Sequence, residues 1–294
     1  MLPRRSIKTV FILTFCPMRK TILVPIDFSN NAQIASQYAL AFAEKYGYDV
    51  HFVHVYQAFK SAFQSHSSNE KDSEQAHNSS QAKLDAFKSN LGLTSSDVTF
   101  QCVEGAFLTS IQKYIDEHQI SLVIMGTHGE TGARKNVLGS NTYDLAKNMD
   151  CSLLIVPERP NEFHLSHAVL FTDYQKGDEN TLRSFMDVVA GEQLKYSIVH
   201  MHPEVKDPTV YEELELEEHR YHLQKDLGID GLQMQLIRSK ESTSLVKEVV
   251  EEMQADILLL TWNSDKNFFA KLFSKSLAKA IIMNPMVPVF LGSK

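Results

Sequence analysis

A single order of apolar strands and amphipathic helices occurs twice along this chain of 294 residues. TILVPID begins the first half at Thr21, and AVLFTD, which ends at Asp173, begins the second half. HFVHVY is matched by YSIVHM, and SIQKYIDEHQISLVIM by SLVKEVVEEMQADILLL. Repetition over this length predicts two similar domains in tandem, with residues 158–165 as the linker.

Within each half, the alternation of strands and helices predicts a parallel sheet that helices cover on both faces. In the first half, Ser29 is placed to cap a helix and Gly47 to end it. VTFQCV, LVIM and LLIV supply three more strands after TILVPI and HFVHVY. Residues 64–80 are polar and low in apolar residues, so they predict a mobile insertion before the next helix. The fold class predicted is α/β, with a five-stranded doubly wound sheet in each half.

Composition restricts the class of protein. With 43% hydrophobic and 22% charged residues the chain can bury two cores, and a formal charge of −7 disfavours nonspecific binding of nucleic acid. The three cysteines are widely spaced, so they predict neither a disulfide framework nor a zinc site and favour a cytoplasmic location. Residues 1–17 contain an apolar run, VFILTF, that is too short to span a membrane. Because Met18 is a natural start for the domain, we expect residues 1–17 to be an extension that contributes little to the fold.

One segment of the first half has the pattern of a phosphate-binding loop. It reads GTHGETGARKNVLGS, with two residues between Gly126 and Gly129 and nine between Gly129 and Gly139. Glycines let the backbone approach a polyphosphate closely, and a helix that starts after Gly139 would present free N–H groups to the anion. Side-chain donors and cations lie beside these glycines: Arg134, Lys135, Ser140, Asn141 and Thr142.

On these residues the first half resembles a universal stress protein domain. Nucleotide-binding members of that family carry G-x2-G-x9-G-(S/T) late in the domain and an aspartate just after the first strand, which here is Asp27. Residues 20–47 and 51–56 are also similar to the family's opening strand, helix and second strand. The resemblance implies two Rossmann-like domains of the adenine nucleotide alpha hydrolase type, at residues 18–157 and 165–294.

The resemblance also implies a ligand, ATP or AMP, with Mg²⁺ accompanying ATP. Asp27 would accept hydrogen bonds from adenine or ribose, although it is also placed to cap the following helix. Val55 would present backbone to the adenine edge, and Met125 would pack against the base unless it belongs to the core. The implied binding residues are Pro25, Ile26, Asp27, Val55, Met125, Gly126, His128, Gly129, Arg134, Gly139, Ser140, Asn141 and Thr142.

The second half departs from this pattern where nucleotide chemistry would occur. After ILLL it reads TWNSDKNFFAKLFSKS, which puts Thr261 at the position of Gly126 and Lys275 at that of Gly139. Side chains then occupy the places where backbone should approach phosphate. We therefore expect the second half to have lost this mode of binding.

Three functions remain open from the sequence. The chain has no CxxC, HExxH or GxxxxGK(S/T) pattern, and His54 and His200 lie inside apolar strands, where satisfied core or edge residues are expected. The first function is a stress or regulatory protein that binds a nucleotide with slow or no turnover. The second is an ATP-hydrolysing or adenylating enzyme, but synthetase relatives carry an SGGxDS loop where this chain has PIDFSNN. The third is a partner-binding protein without nucleotide, which Glu130 in the loop favours.

Each half ends in an apolar strand, at residues 153–156 and 287–291, that a doubly wound order places at a sheet edge. The resemblance implies that such final strands support dimerisation in single-domain relatives. We expect the two halves to pack about a pseudo-twofold axis through these strands, so that one chain imitates a dimer. A further homodimer is left open.

Overall fold

The computed structural model describes most of the chain. The expected extension at residues 1–17 and the middle of the glycine loop, residues 128–138, lie outside the described residues. The described residues are 19–59, 65–92, 97–127, 139–148, 151–160, 162–172, 177–202, 209–238, 243–261, 281–282 and 285–292.

Strands and helices alternate in both halves, as predicted. The first half contains β1 (Thr21–Pro25), α1 (Asn30–Tyr46), β2 (Asp49–Tyr56), α2 (His66–Leu91), β3 (Val98–Glu104), α3 (Phe107–His118), β4 (Leu122–Gly126), α4 (Ser140–Asn148) and β5 (Ser152–Val156). The second half contains β6 (His167–Thr172), α5 (Asp178–Val188), β7 (Lys195–His202), α6 (Val210–Leu227), β8 (Gln233–Arg238), α7 (Thr243–Met253), β9 (Ile257–Leu260) and β10 (Val289–Leu291).

All ten strands join in one sheet, in the order β3-β2-β1-β4-β5-β10-β9-β6-β7-β8. Within each half the neighbouring strands are parallel, and the two halves have the same internal order. The α/β fold class is therefore confirmed. The strand order of the first half reverses between β1 and β4. In doubly wound folds, ligands bind in the crevice at the carboxyl ends of two such strands.

Helix α1 has the ends that the sequence predicts. The Ser29 side chain accepts a hydrogen bond from the Ala32 amide, and Gly47 adopts the left-handed conformation, with φ of 73°, at which the helix ends. Its buried face includes Ala35 and Phe42, which pack on the sheet.

The prediction of a mobile insertion at residues 64–80 is wrong, because α2 spans most of that stretch. Ser65 caps the helix by accepting from the Ser68 amide. The polar first half of α2 lies against the strand ends, where His77 Nδ1 is 3.0 Å from the Tyr56 hydroxyl and Ser73 donates to Glu104. These contacts form only in the folded protein, so the apolar periodicity of the sequence does not indicate this part of the helix.

The two halves meet through their last strands. β5 and β10 pair antiparallel, with Leu153 opposite Leu291 and Ile155 opposite Val289. The expectation that these two strands meet is confirmed. The pairing turns two sheet edges into the interior of one sheet, with a continuous apolar core on each face.

Polar contacts also connect the halves beside this seam. The Tyr48 hydroxyl donates to the Val188 carbonyl at 2.7 Å, and Lys20 donates to the Asp187 carbonyl at 2.8 Å. Phe163, in the linker, lies edge-on against Tyr38 with ring centroids 5.1 Å apart. The linker therefore packs on α1 and does not act as a free tether.

We expect Asp256→Ala to lower the free energy of unfolding by about 2 kcal/mol, the usual range for hydrogen bonds to a charged group. The Asp256 carboxylate accepts from the Ser166 amide and hydroxyl, each at 2.8 Å, and from the His167 amide at 2.9 Å, so it fixes the end of the linker at β6. Burial alone would raise the pKa of Asp256, but these hydrogen bonds outweigh it and lower the pKa.

The stabilisation by Asp256 is thus present above the unfolded-state pKa of about 4 and is lost as pH falls further through the folded-state value. Urea denaturation of the wild type and of Asp256→Asn, at pH 7 and at pH 3, measures how this stabilisation depends on pH. An equal difference at both pH values would show that the ionised carboxylate is not responsible.

Candidate functional site

The two described ends of the glycine loop are tied together. The Gly139 amide donates to the Thr127 carbonyl at 2.8 Å, and the Thr142 hydroxyl donates to the Gly126 carbonyl at 3.1 Å. The segment between Thr127 and Gly139 therefore leaves and returns at one place, the carboxyl end of β4. Among the predicted site residues, His128, Gly129 and Arg134 belong to that segment and lie outside the described residues.

The start of α4 faces this place. The first intrahelical bond runs from the Tyr143 amide to the Gly139 carbonyl at 2.9 Å. The amides of Ser140, Asn141 and Thr142 precede that bond, so they have no carbonyl of the preceding helical turn to donate to. Three such amides at the positive end of a helix form an anion-binding arrangement.

Thr142 has a different role from the one expected. Its side chain is buried, and its hydroxyl donates to the Gly126 carbonyl and does not point out beside the second turn. Ser140 and Asn141 are exposed at the helix start. Thr142 connects the two ends of the loop. The roles of Ser140 and Asn141 toward a phosphate stay predictions.

Gly126 is required by a close approach of the backbone. A Cβ atom at this position would lie 2.9 Å from the Asn31 carbonyl oxygen, in the first turn of α1. A distance this short forces the main chain to move. The glycine therefore lets the ends of β1 and β4 and the start of α1 converge, and neither Asn31 nor Thr127 was singled out from the sequence.

Asp27 lies at the mouth of the same crevice. Its Oδ1 accepts from the Ser29 amide at 3.0 Å, while Ser29 itself caps α1. Between them Phe28 has φ of 66°, which is uncommon for a bulky residue, and its ring lies 4.3 Å from that of His54. The cap of α1 is therefore Ser29, and Asp27 orders the turn that precedes it. The expected contact of Asp27 with adenine or ribose stays a prediction.

The remaining predicted residues form the floor of the site. The Ile26 amide donates to the Val53 carbonyl at 2.9 Å, and His54 Nδ1 is 2.8 Å from the Ile26 carbonyl. Ile26 and Met125 belong to the core, which is the alternative considered for Met125. Pro25 is buried at the end of β1, and Val55 is partly buried on β2. Their expected contacts with a nucleotide stay predictions.

Sheet register aligns the second half with the first, residue by residue. Pro25 pairs with Val53, one residue before His54, and Phe171 pairs with Val199, one residue before His200. His200 Nδ1 lies 2.8 Å from the Thr172 carbonyl, which repeats the contact of His54. Both histidines are thus hydrogen-bonded parts of the fold, as predicted. Thr172 stands in the place of Ile26, and Asp178 in the place of Ala32.

In the second half, buried polar side chains meet beside the carboxyl ends of β6 and β9. The Asp178 carboxyl group is 1% exposed. It accepts hydrogen bonds from the hydroxyls of Thr172 and Thr261 and lies 3.1 Å from His219 Nε2. Asp178 also lies in the first turn of α5, where the helix dipole favours negative charge. We call these four residues the Asp178 network.

The two halves make the close contact between strand end and helix start with the glycine on opposite partners. Gly126 in the first half makes room for Asn31, whereas in the second half Thr261 makes contact across to Gly177, where a Cβ would lie 2.5 Å from the Thr261 methyl group. At this contact the glycine lies at the end of the strand in the first half, and at the start of the helix in the second half. A side chain does occupy the position of Gly126, as the sequence predicts for Thr261. Lys275 lies outside the described residues, and the loss of phosphate binding stays a prediction.

We expect Asp178→Ala to lower the free energy of unfolding by about 3 kcal/mol, because three donors lose their buried acceptor. Chemical denaturation followed by circular dichroism measures the loss. Asn180→Ala, an exposed change in the same turn of α5, is the matched control and should shift stability by less than about 0.5 kcal/mol. Equal stability of the two variants would contradict the role assigned to the network.

The comparisons with known proteins agree with this geometry. Residues 18–157 match the model of the Universal stress protein family. A curated universal stress protein from Methanocaldococcus jannaschii is 25% identical over 144 residues, which are 49% of this chain and 85% of the relative.

Solved structures extend the likeness to both halves. A universal stress protein from Archaeoglobus fulgidus superposes with a TM-score of 0.63 at 15% identity, covering 93% of this chain and 96% of that one. A putative universal stress protein from Pseudomonas aeruginosa gives a TM-score of 0.54 at 13% identity, covering 93% of each chain. Residues 18–157 are therefore similar to the universal stress protein family, and the described fold of the chain is that of these two solved structures.

Other kinds of site are not apparent in the described part of the chain. No three His, Cys, Asp or Glu side chains there are grouped to hold a metal ion, and Cys102 and Cys151 are free thiols. Within the same residues, no helix combines the length and the apolar character that crossing a membrane requires.

Proposed function

We propose that the first half binds one adenine nucleotide, ATP or AMP, and that the protein acts in stress response or regulation and not as a fast enzyme. The proposal rests on two hydrogen bonds, from Gly139 to Thr127 and from Thr142 to Gly126, which hold the two ends of the glycine loop beside the amides at the start of α4. Asp27 supports it from the adjacent strand end. Mg²⁺ would accompany ATP at the phosphates, where oxygen ligands from the nucleotide dominate its coordination.

The second half contributes structure to this function. In our proposal residues 165–294 form the second domain, whose Asp178 network replaces a ligand, and whose β10 supplies the surface that a second subunit supplies in a dimer. We place the protein in the cytoplasm. This arrangement explains why one half can lose its ligand and remain required for the fold.

Equilibrium dialysis of the full chain with ATP and AMP, each with and without Mg²⁺, tests the binding. We expect saturable binding of at least one nucleotide. In a separate turnover assay, we expect a multiple-turnover rate well below about 1 per second, the lower end of ordinary enzyme rates. A rate at or above that value would make the protein an enzyme. Absence of saturable binding would leave the partner-binding function in its place.

A further inference from the structure

Helix α6 presents an apolar stripe to solvent. Val210, Tyr211, Leu214 and Tyr221 are between 60% and 86% exposed. Leu216 and Leu223, on the opposite side of the same helix, are buried against the second half. The helix is therefore apolar on two faces, and only one of them has a partner within the described residues.

Most of the stripe lies on one side of the helix, where Glu217 separates Leu214 from Tyr221. Val210, Leu214 and Tyr221 are spaced by four and seven residues, which places them on one side of an α-helix. The stripe extends about 17 Å at a rise of about 1.5 Å per residue. An apolar surface of this kind, rimmed by polar residues, is typical of a protein interaction site.

The fold itself does not require the stripe. The helix that corresponds to α6 in the first half is α2, since both follow the second strand of their half and both end at a left-handed glycine, Gly92 or Gly228. None of the large apolar side chains that are exposed in the described structure lies on α2. The two halves share the architecture, so the stripe is a property of this helix alone.

Acidic side chains surround the stripe. The 18 residues of α6 include five glutamates and one aspartate, against one arginine and one lysine. Glu213 lies on one side of the stripe and Glu218 on the other, while Glu217 lies between Leu214 and Tyr221. Arg220 is held by Glu217 at 2.7 Å, so it offsets part of this charge on one side only.

We propose that this face of α6 binds a basic, amphipathic helical segment of another protein. Apolar side chains of the partner would cover Leu214 and Tyr221, and its lysines or arginines would meet the glutamates on both sides. A second molecule of this chain fits poorly, because a twofold pairing of α6 would bring the same glutamates together. An anionic lipid surface is disfavoured by the same charges. The site is independent of the nucleotide crevice.

The experiment uses the full chain and two 18-residue peptides with the same helical pattern of leucines. One carries lysine at every polar position and the other carries glutamate. We expect the lysine peptide to bind the wild-type protein and to bind Leu214→Ser/Tyr221→Ser at least tenfold more weakly, since the apolar contact is lost. Phe59→Ser, which removes an exposed apolar side chain outside α6, is the matched control and should leave the affinity unchanged.

The outcomes separate the occupants. Equal binding of the lysine peptide by wild type and the double serine variant would show attraction to net charge alone and overturn the proposal. Binding of the glutamate peptide with similar affinity would do the same. Sedimentation velocity that shows self-association of the wild type, abolished in the double serine variant, would assign the stripe to a second molecule of this chain. Circular dichroism of each variant confirms that α6 remains folded.

Discussion

Gly139→Lys is expected to weaken binding of ATP and AMP at least 100-fold, which corresponds to about 2.7 kcal/mol. The Gly139 amide is held on the Thr127 carbonyl, and the next three amides begin α4. A side chain at this point would occupy the space through which phosphate reaches those amides. The substitution introduces the residue type that the sequence places here in the second half, Lys275.

Lysine also adds a positive charge that phosphate attracts, so a neutral variant is needed. Gly139→Leu adds similar bulk without charge and should lose the same affinity if exclusion is the cause. Asn90→Lys, an exposed change at the far end of α2, controls for net charge and should bind as wild type does. Titration calorimetry measures all four proteins. If Gly139→Leu binds nucleotide with unchanged affinity, the glycine loop does not form part of the binding site.

Separating the halves is expected to have the second large effect. A fragment of residues 18–160 exposes β5, whose backbone edge and apolar side chains are otherwise covered by β10. An uncovered apolar edge strand pairs with another chain or aggregates. We therefore expect the fragment to dimerise or aggregate, and to be recovered as a soluble complex when residues 161–294 are added. Size-exclusion chromatography with light scattering measures both states.

A longer fragment separates the contribution of the linker from that of the strand. Residues 18–166 retain Phe163, which packs on Tyr38 and Phe42, but they still lack β10. This fragment should be more stable than the shorter one and should associate equally. If the 18–160 fragment is monomeric and as stable as the whole chain, the second half does not serve as the interface partner that we propose.

Much of the fold could be predicted from the sequence because local signals and tertiary packing agree there. Ser29 and Gly47 mark the two ends of α1, and the central strands β4, β5 and β9 appear as apolar runs. The start of α2 could not be predicted in this way. Its first turns contain few apolar residues, and the contacts of His77 and Ser73 with the strand ends arise only once the sheet has formed.

The candidate site, too, could be predicted from the sequence only in part. The glycine pattern predicted a close approach of backbone, and Gly126 does allow one, to the Asn31 carbonyl oxygen. The approach of these glycines to a phosphate stays a prediction. The inward direction of Thr142 could not be predicted, since a threonine in the first turn of a helix can point either way. The Asp178 network is the extreme case. Its members come from β6, α5, α6 and the end of β9, so no local motif brings them together.

The measurement that tests the central claim most directly is the stoichiometry of nucleotide binding to the full chain. Titration calorimetry with ATP and Mg²⁺, and separately with AMP, should give one site per chain, and that site should be lost in Gly139→Leu and kept in Asp178→Asn. Two equivalent sites per chain, or a single site that is lost in Asp178→Asn but kept in Gly139→Leu, would contradict the assignment of the nucleotide to the first half.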